Sequence, residues 1–209
     1  MKIMKSTHSN ILETMIKTIF GIGAAALASL SPTTPEVKEE VVTKSKPVEI
    51  PVVKYESTWK CPNCSPEEKY VLEKLQEKTK ISDRNALATI MGNIKSESNF
   101  HANICEGGSR VPYDQCLSGG YGLIQWTTVA RYNGLGSFCK KYDCNPSSIE
   151  GQVRYMINEN QFQKVLPEFE GRGYSISQYM APAYYWLGWG IKGNREYYSY
   201  NYSKKLVWA

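Results

Sequence analysis

The stretch "GNIKSESNF" (92–100) sets Glu97 seven residues after Ile90, which is within about 20° on a helical wheel. Counting back from Glu97 in steps of three and four reaches Ile94, Ile90 or Met91, and Leu87, so a carboxyl lies in line with an apolar stripe. A helix with that stripe turns the acid toward the interior or a cleft, near the negative end of its own dipole. Desolvation and the dipole both favour the neutral, proton-donating form. A carboxylic acid held in that form suits the protonation of a leaving oxygen, as in glycoside cleavage.

Other hydrolytic chemistries lack their residues. A zinc hydrolase needs several His or carboxylate ligands close together, and after residue 30 the chain has one histidine, His101. His101 follows Glu97 by four residues and reads as a surface residue opening a loop, or a modulator of the acid. A Cys-His peptidase would have to pair it with a cysteine whose expected state is oxidised. No metal and no cofactor are expected.

The six cysteines are Cys61, Cys64, Cys105, Cys116, Cys139 and Cys144. Taken as neighbours they close three short loops, although six cysteines allow fifteen pairings. Zinc at Cys61-x-x-Cys64 would need a second close pair at finger spacing, which the chain does not offer. Disulfides are the expectation, with free thiols as the alternative, and disulfides imply an oxidising compartment.

Several elements position these residues. Residues 1–30 read as a signal peptide or an N-terminal anchor: Lys2, Lys5 and Lys17 precede the apolar run "TIFGIGAAALASL" and a small-residue Ala26-Leu27-Ala28 site. Membrane contact is expected only through residues 16–30. Residues 31–60 hold four prolines between Ser31 and Thr58, with many Glu, Lys and Val, and read as an extended linker. Residues 61–209 form the remaining domain. Within it "SPEEKYVLEKLQEKTK" (65–80) opens with a capping box at Ser65 and Glu68, and "SDRNALATIMGNIKSES" (82–98) starts from Ser82 or Asp83. "SSIEGQVRYMINEN" (147–160), "SISQYMAPAYYWLG" and "REYYSYNYSKKLV" supply three more helices, the second of them interrupted by Pro182. Residues 101–122, rich in Gly and bounded by Cys, are the place for a small hairpin. Lys plus Arg total 25 against 20 for Asp plus Glu, and the basic residues are scattered, which argues against a nucleic-acid footprint.

A helix ending in "GNIKSESNF", a variable loop, "GGYGLIQWT" (119–127) and then "QVRYMINEN" resemble the phage tail lysozyme domain over about Pro66 to Tyr200. The resemblance implies a mainly α fold of the α+β lysozyme-like kind, with a small disulfide-braced hairpin or loop beside the active-site cleft. It implies that Glu97 is the acid cleaving the β-1,4 bond between N-acetylmuramic acid and N-acetylglucosamine. Tyr121, Gly122, Gln125 and Trp126 would line the cleft floor, although Trp126 reads equally well as a core residue. Gln152 and Glu159 match the helix after the cleft, where Glu159 is expected to be structural, and Arg195 is expected to pair or cap. The family pattern does not fix a second carboxylate. This chain offers Glu106 and Asp114, of which Asp114 is nearer the "GGYG" turn.

The reading is therefore a monomeric, exported, cell-envelope or virion-associated glycosidase acting on peptidoglycan strands. A lytic transglycosylase giving anhydro products is one alternative, and a non-catalytic wall-binding module is another.

Overall fold

The computed structural model describes residues 59–117, 119–171 and 173–209. All of them fall within the unit Ile50–Ala209. The expected leader (1–30) and residues 31–58 of the expected linker lie outside the described residues. Trp59 and Lys60, assigned from sequence to the linker's end, belong to the domain instead. They form β1 (Trp59–Lys60), antiparallel to β2 (Val207–Trp208), with Trp59 opposite Trp208 and their rings 5.1 Å apart. The Gln76 side chain completes the attachment, accepting from the Trp59 amide at 2.8 Å and donating to its carbonyl at 3.0 Å.

Seven α-helices follow among the described residues: α1 (Pro66–Lys78), α2 (Arg84–Ser98), α3 (Val129–Tyr142), α4 (Ile149–Asn158), α5 (Asn160–Phe169), α6 (Ile176–Leu187) and α7 (Arg195–Lys205). The capping box of α1 forms as its sequence requires, with the Ser65 hydroxyl accepting from the Glu68 amide and Glu68 returning the bond. The Glu68 carboxylate also receives the Tyr202 hydroxyl from α7. Burial first, then this carboxylate, pushes the Tyr202 phenol up. Asp83 caps α2 by accepting from Asn85 and Ala86, a contribution of about 1 kcal/mol.

Two sequence expectations change, and one helix is present that apolar periodicity does not mark. Residues 129–142 form α3, whose buried positions are only Leu135 and Cys139. Its glycines hide the periodicity: a Cβ at Gly134 would stand 2.2 Å from the Tyr155 hydroxyl, and one at Gly136 would stand 2.6 Å from that of Tyr113. The expected helix 147–160 ends at Asn158, because Glu159 is extended (φ −69°, ψ 142°) and separates α4 from α5. Pro182 does not interrupt α6, which runs through it with Pro182 on the buried side.

The expected hairpin is present in minimal form. Cys105 donates to Ser109 and Val111 to Asn103, while Glu106 and Gly122 pair with Gly120 and Ile104 from the other side. A 3-10 turn (Tyr113–Gln115) leads to Cys116. Disulfides join Cys61 to Cys64, Cys105 to Cys116 and Cys139 to Cys144. The Cys105 to Cys116 closure restricts the unfolded chain by an amount on the order of 2–3 kcal/mol.

The core is built around α2, which packs against α1, α6 and α7. Every residue from Ala86 to Ile94 is buried. Such a helix has no polar face, which marks it as a central rather than a surface helix. At its crossing with α7 a Cβ on Gly92 would lie 2.4 Å from the Ser199 amide nitrogen, so the backbones meet here only because residue 92 has no side chain.

Gly92→Ala tests that crossing. Alanine is the better helix former by about 1 kcal/mol, but it must push α7 aside by roughly an ångström, and overpacking of this kind costs about 1–3 kcal/mol or more. The variant should melt at lower temperature than the parent by circular dichroism. An equal or higher melting temperature would show that the crossing is loose.

Candidate active site

Glu97 stands in the last turn of α2, where the helix first emerges from the core, and its side chain is 13% exposed. Its Oε1 accepts from an Arg195 Nη at 2.6 Å. Arg195 opens α7 and is itself caged. Its other terminal nitrogen donates to the Ile191 and Lys192 carbonyls at 2.9 and 3.0 Å, and its guanidinium lies 4.9 Å over the Trp189 ring. The ion-pair role expected for Arg195 thus has a partner that sequence did not supply, and that partner is the acid itself. Burial and the helix dipole are thus not the only influences on Glu97, because a guanidinium is bonded to it.

Beyond Glu97 the chain reverses through two left-handed residues, Asn99 (φ 53°) and Phe100 (φ 64°). Asn tolerates that region; a bulky residue such as Phe does not, at a cost of order 1–3 kcal/mol. Phe100 is held there by burial and by its contact with the Tyr202 ring at 6.0 Å.

The "GGYGLIQWT" segment lies directly against this helix end, since the Ser98 hydroxyl donates to the Leu123 carbonyl at 2.7 Å. Gln152, fully buried on α4, joins three loops. It accepts from the Leu123 amide at 2.7 Å and donates to the Ala102 and Pro146 carbonyls at 2.6 and 2.7 Å. Gly122 (φ 72°) must be glycine twice over, because a Cβ there would also stand 2.4 Å from the Gln152 amide. Gln125 is left-handed as well (φ 51°), and its side chain donates back to the Gly122 carbonyl at 3.0 Å.

Two residues expected on the cleft floor are instead beneath it. Tyr121 and Trp126 are both fully buried. The Tyr121 hydroxyl donates to Val111 at 3.1 Å, and the Trp126 indole donates to Glu159 at 3.2 Å. Neither offers an open stacking face, so the core alternative for Trp126 is the correct one and Tyr121 joins it. Both belong to aromatic packing that Tyr113, Tyr132 and Tyr155 complete.

Glu159 is the centre of a buried network. Besides Trp126 it accepts from the Trp186 indole at 3.2 Å and from Arg131 at 3.0 and 2.6 Å. Tyr155 donates to the Arg131 carbonyl at 3.0 Å, and burial, followed by the nearby Glu159 carboxylate, pushes its phenol up to about 12. The four donors satisfy a carboxylate that would otherwise be costly to bury. Arg131 and Trp186 escaped the sequence reading. Arg131 sits in the unassigned α3, and Trp186 looks like any other core aromatic.

The two loop carboxylates differ in setting. Glu106 is exposed, and its Oε2 accepts from the Gly120 amide at 2.9 Å. Gly120 in turn abuts the Gln125 side chain, which a Cβ would approach to 2.9 Å. Asp114 is exposed in a groove lined by Asn103, Pro112, Tyr113, Asn145, Pro146 and Ser147. His101 is partly buried, and that burial, with Arg110 nearby, lowers its pKa. No group of three or more His, Cys, Asp and Glu among the described residues is arranged to hold a metal ion.

A family model described as phage tail lysozyme matches residues 67–198 of the chain. Neither a curated protein nor a solved structure matches it.

The Glu159 network makes a direct prediction. Glu159→Ala leaves the Arg131 guanidinium without its carboxylate and two indoles without acceptors, and breaking a buried pair from one side costs about 3–5 kcal/mol. Chemical denaturation should show a loss on that scale. A loss below about 1 kcal/mol would mean that the network is dispensable.

Proposed function

Because the chain belongs to the phage tail lysozyme family, we propose that it degrades peptidoglycan by cleaving the β-1,4 bond between N-acetylmuramic acid and N-acetylglucosamine. Glu97 is the proton donor. The observation that carries this reading is a carboxyl placed where a helix buried from Ala86 to Ile94 surfaces, fixed by a caged arginine, with the Gly-rich segment bonded to the next residue, Ser98. Arg195 occupies Oε1, which leaves Oε2 to protonate the glycosidic oxygen. As the proton leaves, the guanidinium stabilises the carboxylate that forms. Three disulfides fit an exported or virion-associated protein.

The Glu97 to Arg195 bond also favours a second reading, a wall-binding module in which the pair only ties α2 to α7. One substitution separates the two. Glu97→Gln keeps size and hydrogen bonding but has no proton to give, so wall turnover should fall at least ~100-fold with the fold intact. Mass spectrometry of the parent's digest then identifies the chemistry: reducing ends for hydrolysis, anhydro ends for internal attack by the sugar. Intact glycan with the parent protein, or full activity of a folded Glu97→Gln, would exclude the acid role.

For a second carboxylate, the settings of the two candidates reverse the order suggested by sequence. Glu106 is bonded to Gly120 of the Gly-rich segment that packs against the end of α2, whereas the groove of Asp114 is lined in part by the connection between α3 and α4. Glu106→Gln should therefore lower hydrolysis more than Asp114→Asn, by ten-fold or more where Glu106 activates water or stabilises the oxocarbenium-like state. Severalfold or smaller effects in both variants would leave Glu97 as the sole carboxylate and would favour internal attack.

A further inference from the structure

A line of aromatic side chains leads outward from Glu97. Arg195, which holds Glu97, carries the Trp189 ring against its guanidinium; the Trp189 ring meets Tyr184 at 5.4 Å and 75°, and Tyr184 meets Tyr185 at 5.7 Å. The core face of α6 is complete without them, since Ile176, Tyr179, Met180, Pro182, Ala183 and Trp186 are its buried residues. Tyr184 remains 49% exposed and Tyr185 65% exposed.

The sequence around Trp189 keeps this surface open. Gly188 (φ 68°) ends α6 in the left-handed region, and a Cβ at either Gly188 or Gly190 would meet nothing within 4 Å. Glycines are therefore not required at both places by crowding. Their effect is that neither chain neighbour of Trp189 places a side chain over its ring. A row of partly exposed rings, joined to a catalytic carboxyl through one cation, is the composition of a ligand site rather than of a solvated helix end.

We propose that Tyr184 and Trp189 form a stacking subsite for a hexosamine ring of the glycan strand, away from the bond that Glu97 cleaves. A pyranose presents a face of C–H groups and an acetamido methyl to an aromatic ring, and it carries no charge that would compete with Glu97 for Arg195. The inference rests on the glycosidase reading. It adds that the strand runs over the junction of α6 and α7 and that Arg195 links strand binding to the placement of the acid.

The test uses full-length protein carrying Glu97→Gln, titrated calorimetrically with an N-acetylglucosamine tetrasaccharide. Adding Tyr184→Ala should weaken binding about tenfold, while Tyr184→Phe should stay within about twofold of the parent. Tyr184→Gln, which keeps good helix propensity, should repeat the alanine loss and so exclude a folding artefact. Tyr142→Ala, at the end of α3, is the control and should bind as the parent does. Unchanged affinity in Tyr184→Ala, an equal loss in Tyr142→Ala, or no binding of the tetrasaccharide by the parent would each overturn the subsite. The two readings fail separately. Wall digestion that requires Glu97 but is accompanied by unchanged affinity in Tyr184→Ala removes only the subsite, whereas a tenfold loss of binding beside a fully active Glu97→Gln removes only the acid.

Discussion

The burial of α2 on all sides is the constraint on which the remaining structure depends. From Ala86 to Ile94 no residue reaches solvent, so α1, α6 and α7 must enclose the helix, and each apolar side chain so covered contributes about 1.5–3 kcal/mol. A helix of this kind can present polar chemistry only where it leaves the core. Glu97 lies at that exit. The close crossing at Gly92 and Ser199 brings the start of α7 beside the same turn, and Arg195 is the residue it delivers.

The loops around this exit are shaped by buried polar groups more than by regular structure. Gln152 spends its amide on Leu123, Ala102 and Pro146, so one side chain sets the spacing of three segments that otherwise share only short backbone pairings. Glu159 does the same for helices, drawing Trp126, Trp186 and Arg131 onto one carboxylate. Groups so committed are expensive to leave half-satisfied, which gives the arrangement its specificity. Two residues of these loops, Phe100 and Gln125, are left-handed, and surrounding contacts hold both in place.

These features join fold to chemistry in the phage tail lysozyme domain. The buried helix fixes the position of Glu97, and Arg195, bonded to the Ile191 and Lys192 carbonyls and stacked on Trp189, fixes its orientation. From Arg195 the aromatic contacts continue through Trp189 and Tyr184 to Tyr185.

Much of this was legible in the sequence. The capping residues Ser65 and Asp83, the stripe ending at Glu97, the neighbouring cysteine pairs and the Gly-rich bracket each follow from local rules, because capping, periodicity and short-loop closure involve residues close along the chain. Helix α3 was not legible, since Gly134 and Gly136 answer to Tyr155 and Tyr113 from other segments. Nor was the burial of Tyr121, and for Trp126 sequence left core and cleft equally open, because a motif shows that an aromatic is needed but not which side of a turn it faces. The partner of Glu97 lies 98 residues away. Sequence by itself determined the apolar stripe that ends at Glu97 and the helix that carries it; only tertiary structure decided what surrounds that carboxyl, because Arg195 reaches it, with Trp189 and then Tyr184 behind the guanidinium, through the packing of distant segments and not through any local pattern.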